Sequence, residues 1–232
     1  RCFQRGAERF LEEPQGAVYY ASAMHNLAGI TPDLEARLAL LQEGEAYARR
    51  GGTPEILTMS LALQCRCLTD LGRPQQAEAK GRAALRRAER NNKVSTLGRV
   101  LYHLAPAQAA LGDIDDALTT LDRSHAIFAS AQDAGYVAAV AAQRGLILRE
   151  AGRLGAARDA YETAIETHRA LNLSRMLFGS LCGLAIVQAR RGEDPSALLE
   201  EAKALLNGFE LPPDSPMWQE LQDAASVAIA AG

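Results

Sequence analysis

Small and apolar residues recur along this chain at an interval of 40. Gly72, Gly112, Gly152 and Gly192 share one register. An alanine stands five residues after each: Ala77, Ala117, Ala157 and Ala197. Seven residues before each glycine lies Cys65, Ala105, Gly145 or Ala185, all small. Eleven before lies Leu61, Leu101, Ala141 or Leu181. Four columns in step over four units mark an internal repeat. Each unit reads as two helices. The first helices are predicted over about 54–70, 94–111, 134–151 and 173–191, the second over about 74–90, 114–131, 154–170 and 195–206.

The glycine suits the position just past a helix end, where φ is positive and a side chain would strain the backbone. Asp113 and the pair Asp194-Pro195 read as starts of second helices, and Thr53-Pro54 and Ser215-Pro216 mark further starts. The small residue in the first helix and the alanine in the second are expected to meet where the two helices cross. Leucines would then fill the flanks. A weaker unit precedes these four, with helices over 14–29 and 32–50. Thr31-Pro32 opens the second of them, and Gly29 takes the place of the loop glycine. Ala36 is then seven residues on, which a two-residue insertion explains. Pro212, Pro213 and Pro216 punctuate a loop, and a last helix over about 216–230 would cap the apolar end with Met217, Leu221, Ala225, Val227 and Ile229. The predicted repeats are about 14–51, 53–92, 93–132, 133–172 and 173–207, in a single domain.

These columns resemble the tetratricopeptide repeat. Cys65, Ala105, Gly145 and Ala185 match its small first-helix position, the four glycines its turn, and Ala77, Ala117, Ala157 and Ala197 its second-helix alanine. Ala84, Ser124, Ala164 and Ala204 match a further small position. The resemblance covers about residues 14–207. It implies an all-α fold: a right-handed superhelical solenoid of antiparallel helix pairs, about five repeats and a C-terminal capping helix. There are departures. The period is 40, not the usual 34. Gln64 and Arg144 stand where leucine is common, and the usual repeat-ending proline is absent. Pro106 falls inside a first helix, where it should cost a hydrogen bond and kink the helix. Long repeats of this kind look like those in sensor regions of large bacterial transcription activators, beside kinase or cyclase domains, and in eukaryotic scaffolds.

Composition agrees with helices. Of the 232 residues, 44 are alanine and only 5% aromatic. That balance favours close helix packing over a β-sandwich or barrel. The net charge is −3, with no overall nucleic-acid signature. Residues 1–100 nevertheless hold 15 Lys and Arg against 11 Asp and Glu. Lys80, Arg82, Arg86, Arg87, Arg90 and Lys93 supply part of that excess and read as a solvated helix face. No stretch of about 18 uncharged apolar residues is present to span a membrane, and no signal peptide is visible. The chain opens on Arg1, the mark of a fragment or a processed terminus. Cys2, Cys65, Cys67 and Cys182 do not form a disulfide framework, and Cys65-x-Cys67 is not a zinc spacing. A reduced, cytoplasmic setting follows.

The sequence offers no catalytic constellation. His25, His103, His125 and His168 show no metal-ligand spacing, and no phosphate loop or nucleophile elbow occurs. No metal or cofactor is expected, and Cys65 reads as a buried structural thiol. What the resemblance implies instead is a concave groove lined by first helices. By that resemblance the groove takes Tyr19 and Asn26, then Met59, Ala62, Arg66, Thr69 and Asp70. Arg99, Tyr102, Pro106 and Ala109 follow, then Ala139, Leu146, Arg149 and Glu150, and finally Cys182, Ile186, Ala189 and Arg190. Arg66, Arg99, Arg149 and Arg190 make this surface cationic, with Tyr102 and Met59 as apolar anchors. Such a groove suits an acidic peptide or a small anionic or sugar-like effector. The arginines could equally be paired with Asp70 and Glu150. The helix-end positions that hold a chaperone tail carry Asp70, Ala110, Glu150 and Arg190, which do not match that clamp. The expected function is a non-enzymatic interaction or sensor module of a transcriptional or signalling regulator. The alternative is a self-assembling structural scaffold.

Overall fold

The computed structural model describes residues 16–51, 54–91, 93–209 and 215–231. Thr53, Pro212, Pro213 and Cys2 lie outside the described residues. Among those described, the chain forms eleven α-helices and no strand. They are α1 Gly16–Ile30, α2 Leu34–Arg50, α3 Pro54–Asp70, α4 Pro74–Arg90, α5 Val94–Ala110, α6 Ile114–Ser130, α7 Ala134–Glu150, α8 Leu154–Ala170, α9 Ser174–Arg190, α10 Ser196–Asn207 and α11 Pro216–Ala231. The contacts divide the chain into two units, residues 1–127 and 128–232, with the division falling inside α6.

The repeat turns follow from the glycines. Gly72, Gly112, Gly152 and Gly192 have φ of +69°, +94°, +73° and +74°. Each sits in the same hydrogen-bonded end. The N–H after the glycine reaches back to the carbonyl five residues earlier, as from Arg73 to Leu68 at 2.8 Å and from Asp113 to Gln108 at 3.1 Å. Two second helices close in the same way on side-chain-bearing residues, Gln132 (φ +55°) and Asn172 (φ +54°).

In the first unit α1, α3 and α5 are first helices, and α2, α4 and α6 are their partners. The small columns carry the packing. Cys65 and Ala77 are fully buried and share a core cluster with Leu38, Leu41 and Leu68. Gly81 on α4 also has a role: a Cβ there would lie 2.6 Å from Leu104 and 2.9 Å from the Cys65 sulfur. One departure from the repeat pattern is explained here. Gln64, fully buried, donates its amide to the Leu41 carbonyl and to Glu45 on α2. Glu45 in turn takes a 2.9 Å ion pair from Lys80 on α4 and another from Arg49. A buried carboxylate needs such partners, so the polar residue at the leucine position ties three helices together.

In the second unit α7 and α8 form one pair and α9 and α10 the next, and α11 packs chiefly on α9. Ala157 is fully buried, yet the space opposite the small residue Gly145 is filled mainly by Tyr161. A Cβ on Gly145 would lie 2.9 Å from that ring. At the end of α7, Glu150 sits beside Arg149 in an ion pair.

Two sequence expectations are corrected. Gly29 lies inside α1 without a positive φ, and α2 begins at Leu34 behind an Asp33 cap whose carboxylate accepts from the Ala36 N–H at 2.7 Å. Thr31 and Pro32 are therefore linker. Ala197 and Ala204 are exposed, while Ala202 and Leu206 make the buried face of α10. The cause is local. Pro195 disfavours helical backbone at Asp194, whose carboxylate accepts from the Ser196 N–H, so this helix starts two residues later than its counterparts and the face rotates. α5 runs from Val94 to Ala110 with Pro106 inside it, where the ring nitrogen has no N–H to donate.

Candidate interaction face

In the first unit the first helices present His25 from α1, Ser60 and Arg66 from α3, and Arg99, Tyr102 and His103 from α5. Helical spacing gathers the last three: residues i, i+3 and i+4 share one face. His25 Nε2 lies 2.6 Å from the Ser60 hydroxyl. Ser60 already donates to the Ile56 carbonyl, so His25 is the donor in that pair. Arg66 donates to both carboxylate oxygens of Asp70, at 2.9 and 3.1 Å. The rings of Tyr102 and His103 meet edge to face with centroids 5.1 Å apart. Two polar atoms here are buried without a hydrogen-bond partner, Arg99 Nε and His103 Nδ1.

Electrostatics bind the group together. Burial, and then the charge of Arg99, pushes His25 down to about 4. Burial, and then Arg66 and Arg99, pushes His103 down to about 3. Both imidazoles are neutral at neutral pH, so the charge of the face is that of Arg66, Arg99 and Asp70. Beside it, a cleft of about 130 Å³ opens between His25, Ala28, Leu41, Leu63, Arg66 and Asp70, and Arg37 of α2 lines it as a further cation.

The remaining expected groove residues divide clearly. Tyr19 and Asn26 are exposed on α1. Met59 is only 7% exposed and packs with Leu61, Ala84 and Val100. It is a core residue, because α3 is sandwiched between neighbours on several sides, and it is no open anchor. Ala62 and Pro106 are likewise buried.

In the second unit Arg149 is paired with Glu150 at 2.8 Å, and Arg190 donates to the Arg149 carbonyl at 3.4 Å. With Arg66 held by Asp70, the paired reading of these arginines holds for Arg66 and Arg149. Cys182 is buried, and burial, with the Glu220 charge, pushes its thiol up to about 12. Ala189 is buried too, whereas Ala139, Leu146 and Ile186 are half-buried. Arg149, Cys182 and Ile186 line a cleft of about 380 Å³ whose other wall is Gln219, Glu220 and Asp223 of α11.

Sequence reasoning passed over His25, Ser60 and His103. The i, i+4 relation of Arg99 to His103 was the available signal, but the partnership with His25 depends on helix stacking. The basic run from Lys80 to Lys93 is a salt-bridged surface in part: Lys80 pairs with Glu45, Arg82 with Glu78, and Lys93 with Glu55. No group of three His, Cys, Asp or Glu among the described residues is placed to hold a metal. No described helix is long and apolar enough to cross a membrane.

Residues 67–181 match the family model described as a tetratricopeptide repeat-like domain. The chain carries a tetratricopeptide repeat-like domain. Solved structures of low sequence identity share the fold. BtubC from P. vanneervenii is 18% identical with a TM-score of 0.70, over 92% of each chain. A signal transduction ATPase with numerous domains, with a tetratricopeptide repeat sensor, from Pyrococcus horikoshii is 16% identical with a TM-score of 0.70. That match spans 99% of this chain and 34% of the other. RapI is 18% identical with a TM-score of 0.64, over 99% of this chain and 74% of its own. No curated protein sequence matches this chain.

Proposed function

We propose that this tetratricopeptide-like chain is a non-enzymatic interaction or effector-sensing module, working inside a cytoplasmic transcriptional or signalling regulator. It binds a peptide or small ligand on the first-helix face of its first unit. One observation carries the reading: α1, α3 and α5 gather two guanidinium groups, two neutral imidazoles and a tyrosine on one face, with polar capacity left unused at Arg99 and His103. Arginine and tyrosine side chains gathered on one solenoid face suit contact with a partner. The sensor role of a repeat array in the Pyrococcus horikoshii ATPase supports the regulatory setting. Three described cysteines are free, buried thiols, which suits a reducing compartment.

The test is a comparison of wild type with the Arg99→Glu, Tyr102→Ala double variant. Partners captured by the wild-type chain should bind the variant at least about tenfold more weakly, while the helical circular-dichroism signal stays the same. Equal binding by a folded variant would refute the reading.

A further inference from the structure

We infer that α11 is a displaceable strap, seated on the first-helix face of the second unit, which must be lifted before a partner can reach Arg149, Cys182 and Ile186. The strap goes beyond the proposed function, which concerns the first unit. Three observations lead to it.

The first is where α11 sits. A helix that continued the stack would pack on the second helix before it, as α3 packs on α2 and α9 on α8. α11 instead packs chiefly on α9 and only lightly on α10. It has slipped from the end of the array onto the side of a first helix.

The second is what it covers. Gly179, Cys182, Gly183 and Ile186 are spaced i, i+3, i+4 and i+7, so α9 brings them to one face. α11 lies over that face. A Cβ on Gly179 would stand 3.7 Å from Glu220 Oε1. Gln219, Glu220 and Asp223 wall the cleft of about 380 Å³ whose far side is Arg149, Cys182 and Ile186.

The third is how lightly it is held. Among its described side chains only Leu221 and Ala224 are buried. Gln219 donates to Asp223 within α11, and Arg149 takes its ion pair from Glu150 and not from Glu220. Among the described residues no hydrogen bond or ion pair ties α11 to α7, α9 or α10. The cleft beneath it forfeits packing contacts, and a segment with so few buried contacts opens on its own. Residues 208–215 tether it to α10. A tether this short keeps a released helix near its seat at an effective concentration on the order of mM. A weak seat is therefore enough to keep the face closed, and a partner opens it only by binding the open form more tightly.

Trp218 is the single tryptophan of the chain and sits half-buried on α11, so its fluorescence reports the strap. The experiment compares the whole wild-type chain with a Leu221→Asp, Ala224→Asp variant, using a fluorescein-labelled peptide of residues 215–231 as the probe. In the variant Trp218 emission should move to longer wavelength. The peptide should bind the variant at least about tenfold more tightly than wild type, whose seat is occupied. Adding Gly179→Leu, which fills the space under Glu220, should weaken the peptide at least about tenfold. Adding Arg86→Gln, on the exposed face of α4, should change it less than about twofold. Equal peptide binding by wild type and variant overturns the strap, as does indifference to Gly179→Leu or an unmoved Trp218 emission. Should the variant fail to fold by circular dichroism, hydrogen–deuterium exchange of wild type decides. There α11 should exchange at least about tenfold faster than α9, and equal protection of the two helices overturns the proposal.

Discussion

Gly183 on α9 exists to make room for Tyr161 on α8. A Cβ at position 183 would stand 2.4 Å from the Tyr161 Cζ and 2.7 Å from its hydroxyl, closer than any real contact. The same ring presses on Gly145 of α7. The tyrosine is only 3% exposed, and burial pushes its phenol up to about 12. Gly183→Ala gains about 1 kcal/mol of helix propensity, but the ring is held between two glycines and cannot swing away. Overpacking of this kind costs about 1–3 kcal/mol. The expected result in urea unfolding is net destabilisation, relieved when Tyr161→Leu is added. Additive effects of the two substitutions would contradict the contact.

The left-handed turns isolate a backbone effect. A Cβ at Gly72 would meet nothing within 4 Å, so any cost of Gly72→Ala is conformational. At φ +69° that cost is about 1–2 kcal/mol. Gly72→Asn should lose markedly less, because asparagine tolerates this region. Thermal unfolding of the two variants makes the comparison.

The alanine column gives a contrast within one motif. Ala117 and Ala157 are fully buried, whereas Ala197 is exposed. Leucine at either of the first two should cost about 1–3 kcal/mol. Ala197→Leu should stay within about 0.5 kcal/mol of wild type. Denaturant midpoints decide it.

These positions also show how far the sequence could be read. The glycine interval gave the turns directly, because only a positive φ makes that residue worth repeating. The alanine column was legible until Pro195 delayed α10. That shift depends on where a proline and an aspartate cap settle the helix start, which a column count does not weigh. Met59 was misplaced for a different reason: periodicity says which side of a helix is apolar, but a first helix between two others is buried on more than one side. His25, Ser60 and Arg99 come from three helices, and their meeting is set by helix stacking alone.

Stability should fall in acid, beginning below the ordinary imidazole pKa near 6.5. His25, His103 and His168 are all held below their ordinary values, chiefly by burial, with His25 near 4 and His103 near 3. The unfolded chain therefore takes up protons at these sites before the folded chain does. Their contribution is complete above about pH 6.5 and is lost as pH falls through the folded values, with a limiting slope of about 1.4 kcal/mol per pH unit for each imidazole. Glu45 adds to this at lower pH. Burial pushes its carboxyl up, but hydrogen bonds from Gln64 and Lys80 and the charges of Lys80 and Arg49 outweigh that and hold it below the usual range. Its stabilisation is present above the unfolded carboxylate pKa and disappears as pH falls through the folded one. Urea midpoints between pH 8 and 4 should be level at first and then decline. Constant midpoints below pH 6 would contradict the burial of the histidines.

The most direct test of the interaction face is hydrogen–deuterium exchange with and without a captured partner. Binding should slow exchange in α1 around Tyr19–Asn26, in α3 around Arg66 and in α5 around Arg99–Tyr102, leaving α2, α4 and α6 unchanged. Protection confined to the second helices, or to neither set, would show that the first-helix face is not where this chain meets its partner.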